Sequence, residues 1–267
     1  MTFKEQYGDT ALIAGASEGM GAAFAHALAA RGLNLVLVAR RKQLLEETAL
    51  QIANKYSVTV LPVVCDLSDD DATEKIQSAI GDIQITFLVY NAALSYIGPF
   101  VSTNVETHIN IAKANMITQL KLIHHFGGKM VAQRKGGIVI MTSIAGLQGS
   151  GYLSTYAATK AFNRVLAEGL WYEFTPKGVN VIACCAGATA TPNYINTNPA
   201  KASPLQPKEQ SPEAVVEACL RNIGRTPFFI SGMGNKLVSF LMQHLLPRKK
   251  AITMMGDSMK KVYRIKD

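Results

Sequence analysis

Apolar residues fall in short continuous runs at positions 10–14, 33–39, 58–64, 86–90, 137–141 and 179–184, with a weaker run at 227–230. Several of these runs do not alternate with polar residues. A strand wetted on one side alternates, whereas a strand covered on both sides does not. Between the runs lie stretches of helical period at 22–30, 42–55, 70–80, 113–133 and 155–174. This alternation predicts βαβ units and an α/β fold: a Rossmann-type doubly wound, seven-stranded parallel sheet with helices on both faces. With 48% hydrophobic and 17% charged residues, the 267-residue chain can bury one large core, so a single domain over 1–267 is expected. Acids at Asp69, Asp70 and Asp71 are read as caps for the helix at 70–80.

Residues 189–210 break the rhythm. They are rich in Pro, Asn, Thr and Ser and follow the sixth strand. Parallel sheets bind ligands at the carboxyl ends of their strands, so this segment, taken to about 226, is read as a substrate lid.

The first run leads into Ala14-Gly15-Ala16-Ser17-Glu18-Gly19-Met20-Gly21 and then a helix. Gly15 permits a tight turn, Gly19 close approach of backbone to a pyrophosphate, and Gly21 close packing of helix on sheet. The helix start then offers free N–H groups and a positive dipole end to phosphate. At the end of the second strand stands Arg40-Arg41, where a carboxylate would bind the ribose hydroxyls of NAD. Guanidinium groups there suit the extra phosphate of NADP(H), the expected cofactor. Glu18, an acid just before the middle glycine, could repel that phosphate unless it points away.

Tyr156 and Lys160 stand four apart, on one helix face. A phenol is a weak acid at neutral pH, and a neighbouring ammonium would lower its pKa toward use in proton transfer. Ser143 ends the fifth strand thirteen positions before Tyr156 and could donate to a substrate carbonyl.

The GxxxGxG spacing, the Tyr156/Lys160 pair and Ser143 together resemble the short-chain dehydrogenase/reductase family over roughly residues 8–192. That resemblance implies catalysis by Asn115, Ser143, Tyr156 and Lys160. It also implies cofactor contacts from Gly15, Ser17, Glu18, Gly19, Met20, Gly21, Arg40 and Arg41. Asp66 and Leu67 would lie at the adenine, Asn91 and Ala92 at the end of the fourth strand. Tyr156, Lys160, Gly187, Thr189 and Thr191 would surround the nicotinamide riboside. The chain departs from the family pattern at Ala14 (usually Thr), Leu94 (usually Gly) and Ala186 (usually Pro). The glycine loop, Arg40-Arg41, residues 189–192 and Met255-Gly256 are similar to bacterial NADP-dependent hydroxysteroid dehydrogenases.

Expected substrate walls are Leu94, Ile144, Leu147, Tyr152 and Tyr194. Their flanking segments 94–97, 144–148 and 152–153 hold no Arg, Lys, Asp or Glu, so an apolar ketone or alcohol such as a hydroxysteroid is favoured. The alternatives are a 3-oxoacyl thioester or long-chain lipid ketone and, in another class, a catalytically inactive dinucleotide-binding regulator.

The net charge is +8, and residues 235–267 carry six of the eight excess positive charges. No nucleic-acid motif accompanies them. A solvated basic helix or tail over about 234–267 is expected, with contact to an anionic membrane surface as the sharper alternative. The apolar residues 237–242 read as packing on the core or on another subunit of a homodimer or homotetramer. Cys65, Cys184, Cys185 and Cys219 read as buried thiols in a reducing, cytoplasmic setting, with no metal site. The start shows no signal-peptide pattern, and no apolar run is long enough to span a bilayer.

Overall fold

The computed structural model describes residues 2–200 and 207–265. Seven strands form one sheet: β1 (Thr10–Ala14), β2 (Asn34–Ala39), β3 (Val60–Val64), β4 (Phe87–Tyr90), β5 (Gly136–Ser143), β6 (Val179–Ala186) and β7 (Phe228–Ile230). Their order is β3-β2-β1-β4-β5-β6-β7 and every pairing is parallel. The register carries Ile13 against Leu37 on one side and Val89 on the other, then Val89 against Val139 and Val139 against Ile182.

Continuous apolar runs are needed because side chains of alternate residues feed two separate cores. Ala11, Ile13, Leu35 and Leu37 enter one, with Tyr7 of α1 (Phe3–Tyr7), Phe24 and Leu28 of α2 (Gly19–Ala29) and Leu45 and Ile52 of α3 (Lys42–Tyr56). Leu12, Ala14, Val36 and Val38 enter the other, with Ile76 of α4 (Ala72–Ile80) and residues of the long helices that follow. Burying each large aliphatic side chain stabilises the fold by about 1.5–3 kcal/mol. Pro62 is tolerated because β3 lies at the sheet's edge.

The helix expected over 113–133 begins earlier. It runs from α5 (Val105–Ala112) through α6 (Thr118–Leu122) to α7 (Gly128–Gln133), joined by π-helical turns at Lys113–Ile117 and Ile123–Gly127. Asn104 caps its start by accepting from the Glu106 N–H. α8 (Ser154–Phe174) lies beside it. The acids at 69–71 do not cap α4, whose Asp71 N-cap makes no side-chain cap bond. Lys75 holds Asp69 and Asp71 instead, at 3.1 and 2.9 Å, and Lys113 holds Asp70 at 2.7 Å.

One further expectation is corrected by packing. The segment from 189 to 226 is not all lid: α10 (Pro212–Asn222) buries Val215, Val216 and Cys219 in the core with α2. Arg31, in the turn just after α2, clasps Glu217 of α10 through both carboxylate oxygens, at 3.0 and 2.7 Å. α9 (Pro192–Asn196) lies between β6 and α10 and buries no residue, and residues 201–206 lie outside the described residues. The C-terminal region is helical, one of the two forms expected for it. It folds as α11 (Met233–Phe240), a π-helical turn at Leu241–Leu245, and α12 (Arg248–Tyr263), which buries Ala251 and Val262. The four cysteines are free and buried.

Candidate active site

Every strand that feeds the site does so from its carboxyl end. β1 delivers Gly15, β2 Arg40, β4 Asn91, β5 Ser143 and β6 Gly187, and Asp66 follows just after β3. The sheet's order reverses between β1 and β4, and the glycine loop stands at that switch point, where doubly wound sheets bind dinucleotides.

Gly15 adopts φ +82° and presses so closely on Ala92 that a Cβ would sit 2.7 Å from the Ala92 Cα. A Cβ on Gly21 would overlap the Gly15 carbonyl oxygen. At Gly19, φ +57°, an added Cβ would sit 3.0 Å from the Thr191 side chain, so the glycine loop and the segment after β6 meet there. Asn91 donates to the Gly15 carbonyl at 2.9 Å and latches the turn. The α2 N-cap, Glu18, makes no side-chain bond to the helix, which leaves the first-turn N–H groups available to an anion. This cradle fits the phosphates of a dinucleotide.

At the far edge, Arg41 pairs with Glu18 at 2.7 Å and donates to the Ser17 hydroxyl at 3.4 Å. Glu18 is therefore neutralised rather than aimed at a ligand. Arg40 approaches Asp66 at only 3.5 Å and more than half of its side chain is exposed. Asp66 accepts from the Ser68 N–H at 2.9 Å and hydroxyl at 2.7 Å. Burial works to raise the Asp66 carboxyl, but the Ser68 bonds and Arg40 outweigh it and hold the group below the usual value. Leu67, whose carbonyl accepts from Thr118 at 2.8 Å, is buried behind it.

The π-helical turn at Lys113–Ile117 pushes Asn115 out of the regular ladder, a placement common at functional sites. Its side chain accepts from the Leu94 N–H at 2.7 Å and donates to the Leu94 carbonyl at 2.9 Å and to Thr159 at 3.0 Å. Asn115 thereby ties the segment after β4 to α8. One turn along each helix, the Gln119 and Asn163 amides meet at 3.0 Å in the interior. Lys160, 2% exposed, places its Nζ 5.5 Å from the Tyr156 ring centroid and donates to the Met141 carbonyl at 2.9 Å.

Burial pushes the Tyr156 phenol up to about 12, with a hydrogen bond from Ser143 as the opposing influence. Burial likewise lowers Lys160 to about 8. The sequence-based expectation had the ammonium lower the phenol. In the structure desolvation wins, and it also drives part of the charge off the lysine.

Gly187 faces Asn235 of α11 with no room for a Cβ. The Thr189 hydroxyl donates back to the Gly187 carbonyl at 3.1 Å, and Thr191 caps α9 by accepting from the Tyr194 N–H at 3.3 Å. Of the expected walls, Ile144 and Tyr194 are half-buried and Leu94 packs against the core, while Leu147 is buried. Tyr152 turns into a left-handed conformation at φ +62°, and its carbonyl accepts from the Gly98 N–H at 2.9 Å.

One wall was missed. Met259 of α12 packs with Tyr156 and Ile97 on a small cluster of Ala145, Leu153 and Ala157. Tyr263 lies close enough to add to the upward push on the Tyr156 and Tyr194 phenols. Lys260 stands over the Tyr152 ring, and Ala200 donates to the Val262 carbonyl at 2.9 Å. α12 thus bridges the loop after β5 and the segment after β6. The helical spacing of Met255, Met259 and Val262 was a visible signal, masked by the basic residues around it.

A family model described as short chain dehydrogenase matches residues 9–202. The 7beta-hydroxysteroid dehydrogenase of Mediterraneibacter gnavus is 32% identical over 238 residues, 88% of this chain and 90% of that relative. A solved 7beta-hydroxysteroid dehydrogenase superposes with TM-score 0.90 at 30% identity, covering 96% of this chain and 99% of the other. A short-chain dehydrogenase from Sphingobium yanoikuyae in complex with NADPH gives TM-score 0.74 at 29% identity, over 84% and 87% of the two chains.

Proposed function

The chain belongs to the short chain dehydrogenase family, and from that membership we propose that it moves a hydride between NADP(H) and the carbonyl or secondary-alcohol carbon of a bulky apolar substrate of the hydroxysteroid kind. The observation that carries this reading is the convergence of Tyr156, Ser143 and Lys160 beside a glycine cradle, under walls formed by Ile97, Leu153 and Met259. The likeness to 7beta-hydroxysteroid dehydrogenases spans most of the chain and supports the substrate class.

The backbone of Gly15–Gly21 and the start of α2 would hold the pyrophosphate, and Arg40, beside the Glu18-paired Arg41, the extra phosphate. The NADPH complex of a relative supports that preference. A bound nicotinamide supplies the hydride. Ser143 donates to the substrate oxygen and orients it. Tyr156, with a pKa near 12, stays protonated at neutral pH and gives its proton to the oxygen as negative charge develops there. That protonation state suits ketone reduction. Lys160 would hold the cofactor's ribose hydroxyls, and Asn115 fixes the Leu94 wall against α8.

Turnover of steroid ketones, aliphatic ketones and acyl thioesters with NADPH and NADH tests the reading. The highest kcat/KM is expected for a steroid ketone with NADPH. Preference for acyl thioesters would assign a 3-oxoacyl reductase instead, and cofactor binding without any turnover would assign a regulator.

A second copy of the chain is the proposed partner on the outer face of α8. An open groove of about 500 Å³ there is lined by Phe162, Val165, Leu166, Gly169 and Leu170. Val165 is 59% exposed, and Ile117 and Leu120 are exposed on the neighbouring helix. Light scattering should give at least a dimer, reduced to a monomer by Val165→Glu.

A further inference from the structure

α11 is turned the wrong way for a helix that serves only its own core. Its two fully covered residues are polar, Asn235 and Ser239, with Val238 half-buried beside them. Asn235 donates to the Ser231 carbonyl at 2.8 Å and to the Gln210 side chain at 3.3 Å. The opposite face carries Met233 (78% exposed), Leu237 (60%), Phe240 (54%), and then Leu241 and Leu245 in the turn that continues it. These positions recur every three or four residues and form one stripe. An amphipathic helix normally buries its apolar side; this one buries its polar side and offers the apolar one.

The charge around the stripe selects what could cover it. Lys236, Arg248, Lys249 and Lys250 are exposed beside it, and residues 233–256 contain no Asp or Glu. Three of these cations occupy the start of α12, where the helix dipole disfavours positive charge and the first turn has no acid to compensate. A second copy laid on this face would bring like charges together in parallel or antiparallel alignment, which opposes association. An anionic lipid surface answers both features: apolar side chains enter the headgroup boundary while the cations meet the lipid charge.

We propose that α11 and the start of α12 form a docking surface for an anionic lipid bilayer. α12 also packs beside Tyr156, so docking there sets the mouth of the site at the lipid surface. The proposal stands without the substrate assignment, because the readout involves no turnover.

Co-sedimentation of the full-length protein with phosphatidylglycerol-rich vesicles, and with phosphatidylcholine vesicles, tests it. Binding to the anionic vesicles is expected, weakened by salt. Lys249→Glu/Lys250→Glu and Leu237→Glu/Phe240→Glu should each lower partitioning by at least ~10-fold. Circular dichroism checks that the variants remain folded; if the Glu pair unfolds, Leu237→Asn/Phe240→Asn gives the same reading. Failure of the wild type to bind, equal binding by the charge-reversed variant, or equal binding to both vesicle types overturns the proposal. So does a fall in solution mass for the Leu237/Phe240 variant, which would assign the stripe to a second copy.

Discussion

Residues 10–143 and residues 233–263 solve opposite problems. In the first region, apolar side chains fill both sides of a sheet, and the carboxyl edge is left to glycine, serine and arginine. A cradle results whose shape is fixed by backbone, because Gly15 and Gly21 exclude any Cβ. In the second region, α11 exposes its apolar stripe while α12 leans Met259 and Tyr263 toward Tyr156. The first region is specified by local chemistry and serves the part of the reaction common to a whole family. The second is specified by what it packs against, and bears on which molecule enters. Variants in the two regions should therefore separate cofactor effects from substrate effects.

The largest effect is expected between the regions, at the proposed acid. Tyr156→Phe should reduce kcat by ~10²–10⁴-fold and leave the NADPH dissociation constant within about twofold, read by stopped-flow and fluorescence titration. Turnover near the wild-type rate would remove the proton donor from the mechanism.

Next is a pH effect on stability. Lys160 is held near 8, below its ordinary 10.5, so below pH 8 it is charged in both folded and unfolded chains and its burial cost is present in full. Between pH 8 and 10.5 the unfolded chain binds more protons, so stability rises with pH, by up to about 3 kcal/mol. Tyr156, raised from 10.0 to about 12, acts in the opposite sense above pH 10, where the unfolded chain ionises first and stability falls. Urea unfolding of wild type and Lys160→Met from pH 7 to 10 should show the wild type gaining relative to the variant; parallel profiles would mean the lysine is not desolvated.

Within the first region, Arg40→Ala should lower NADPH affinity by ~10–100-fold and barely change NADH, as one charge-assisted phosphate contact is lost. Equal losses for both cofactors would place the discrimination elsewhere, with Arg41 the next candidate. Smallest is the change in the second region: Met259→Ala should alter the relative kcat/KM of bulky and small ketones by ~3–10-fold, with cofactor affinity untouched. A parallel loss on all substrates would make Met259 a packing residue only.

What was legible in the sequence followed from short-range rules. Continuous apolar runs required a sheet covered on both sides, and strand–helix alternation required that sheet to be parallel. The glycine loop was readable because its conformational demands leave few substitutes. Tyr156 and Lys160 were readable as neighbours because four residues make about one helical turn. Their pKa directions were not, since those depend on how much protein surrounds the pair, and burial outweighed the attraction expected between them. Asp69, Asp70 and Asp71 looked like helix caps because capping is local, yet lysines from the same and a neighbouring helix claimed them. α10 looked like lid until its apolar face met α2. Charge dominates the composition of the C-terminus and hid Met259, which meets Tyr156 only after α12 folds back against the loop after β5. The sequence by itself determined the strands, the tight glycine turn and the one-turn spacing of phenol and ammonium, all set by backbone preference and local periodicity. Only the tertiary structure decided which charges pair, which groups lose water and which distant helix closes the pocket, because desolvation and packing belong to surfaces that meet across the fold.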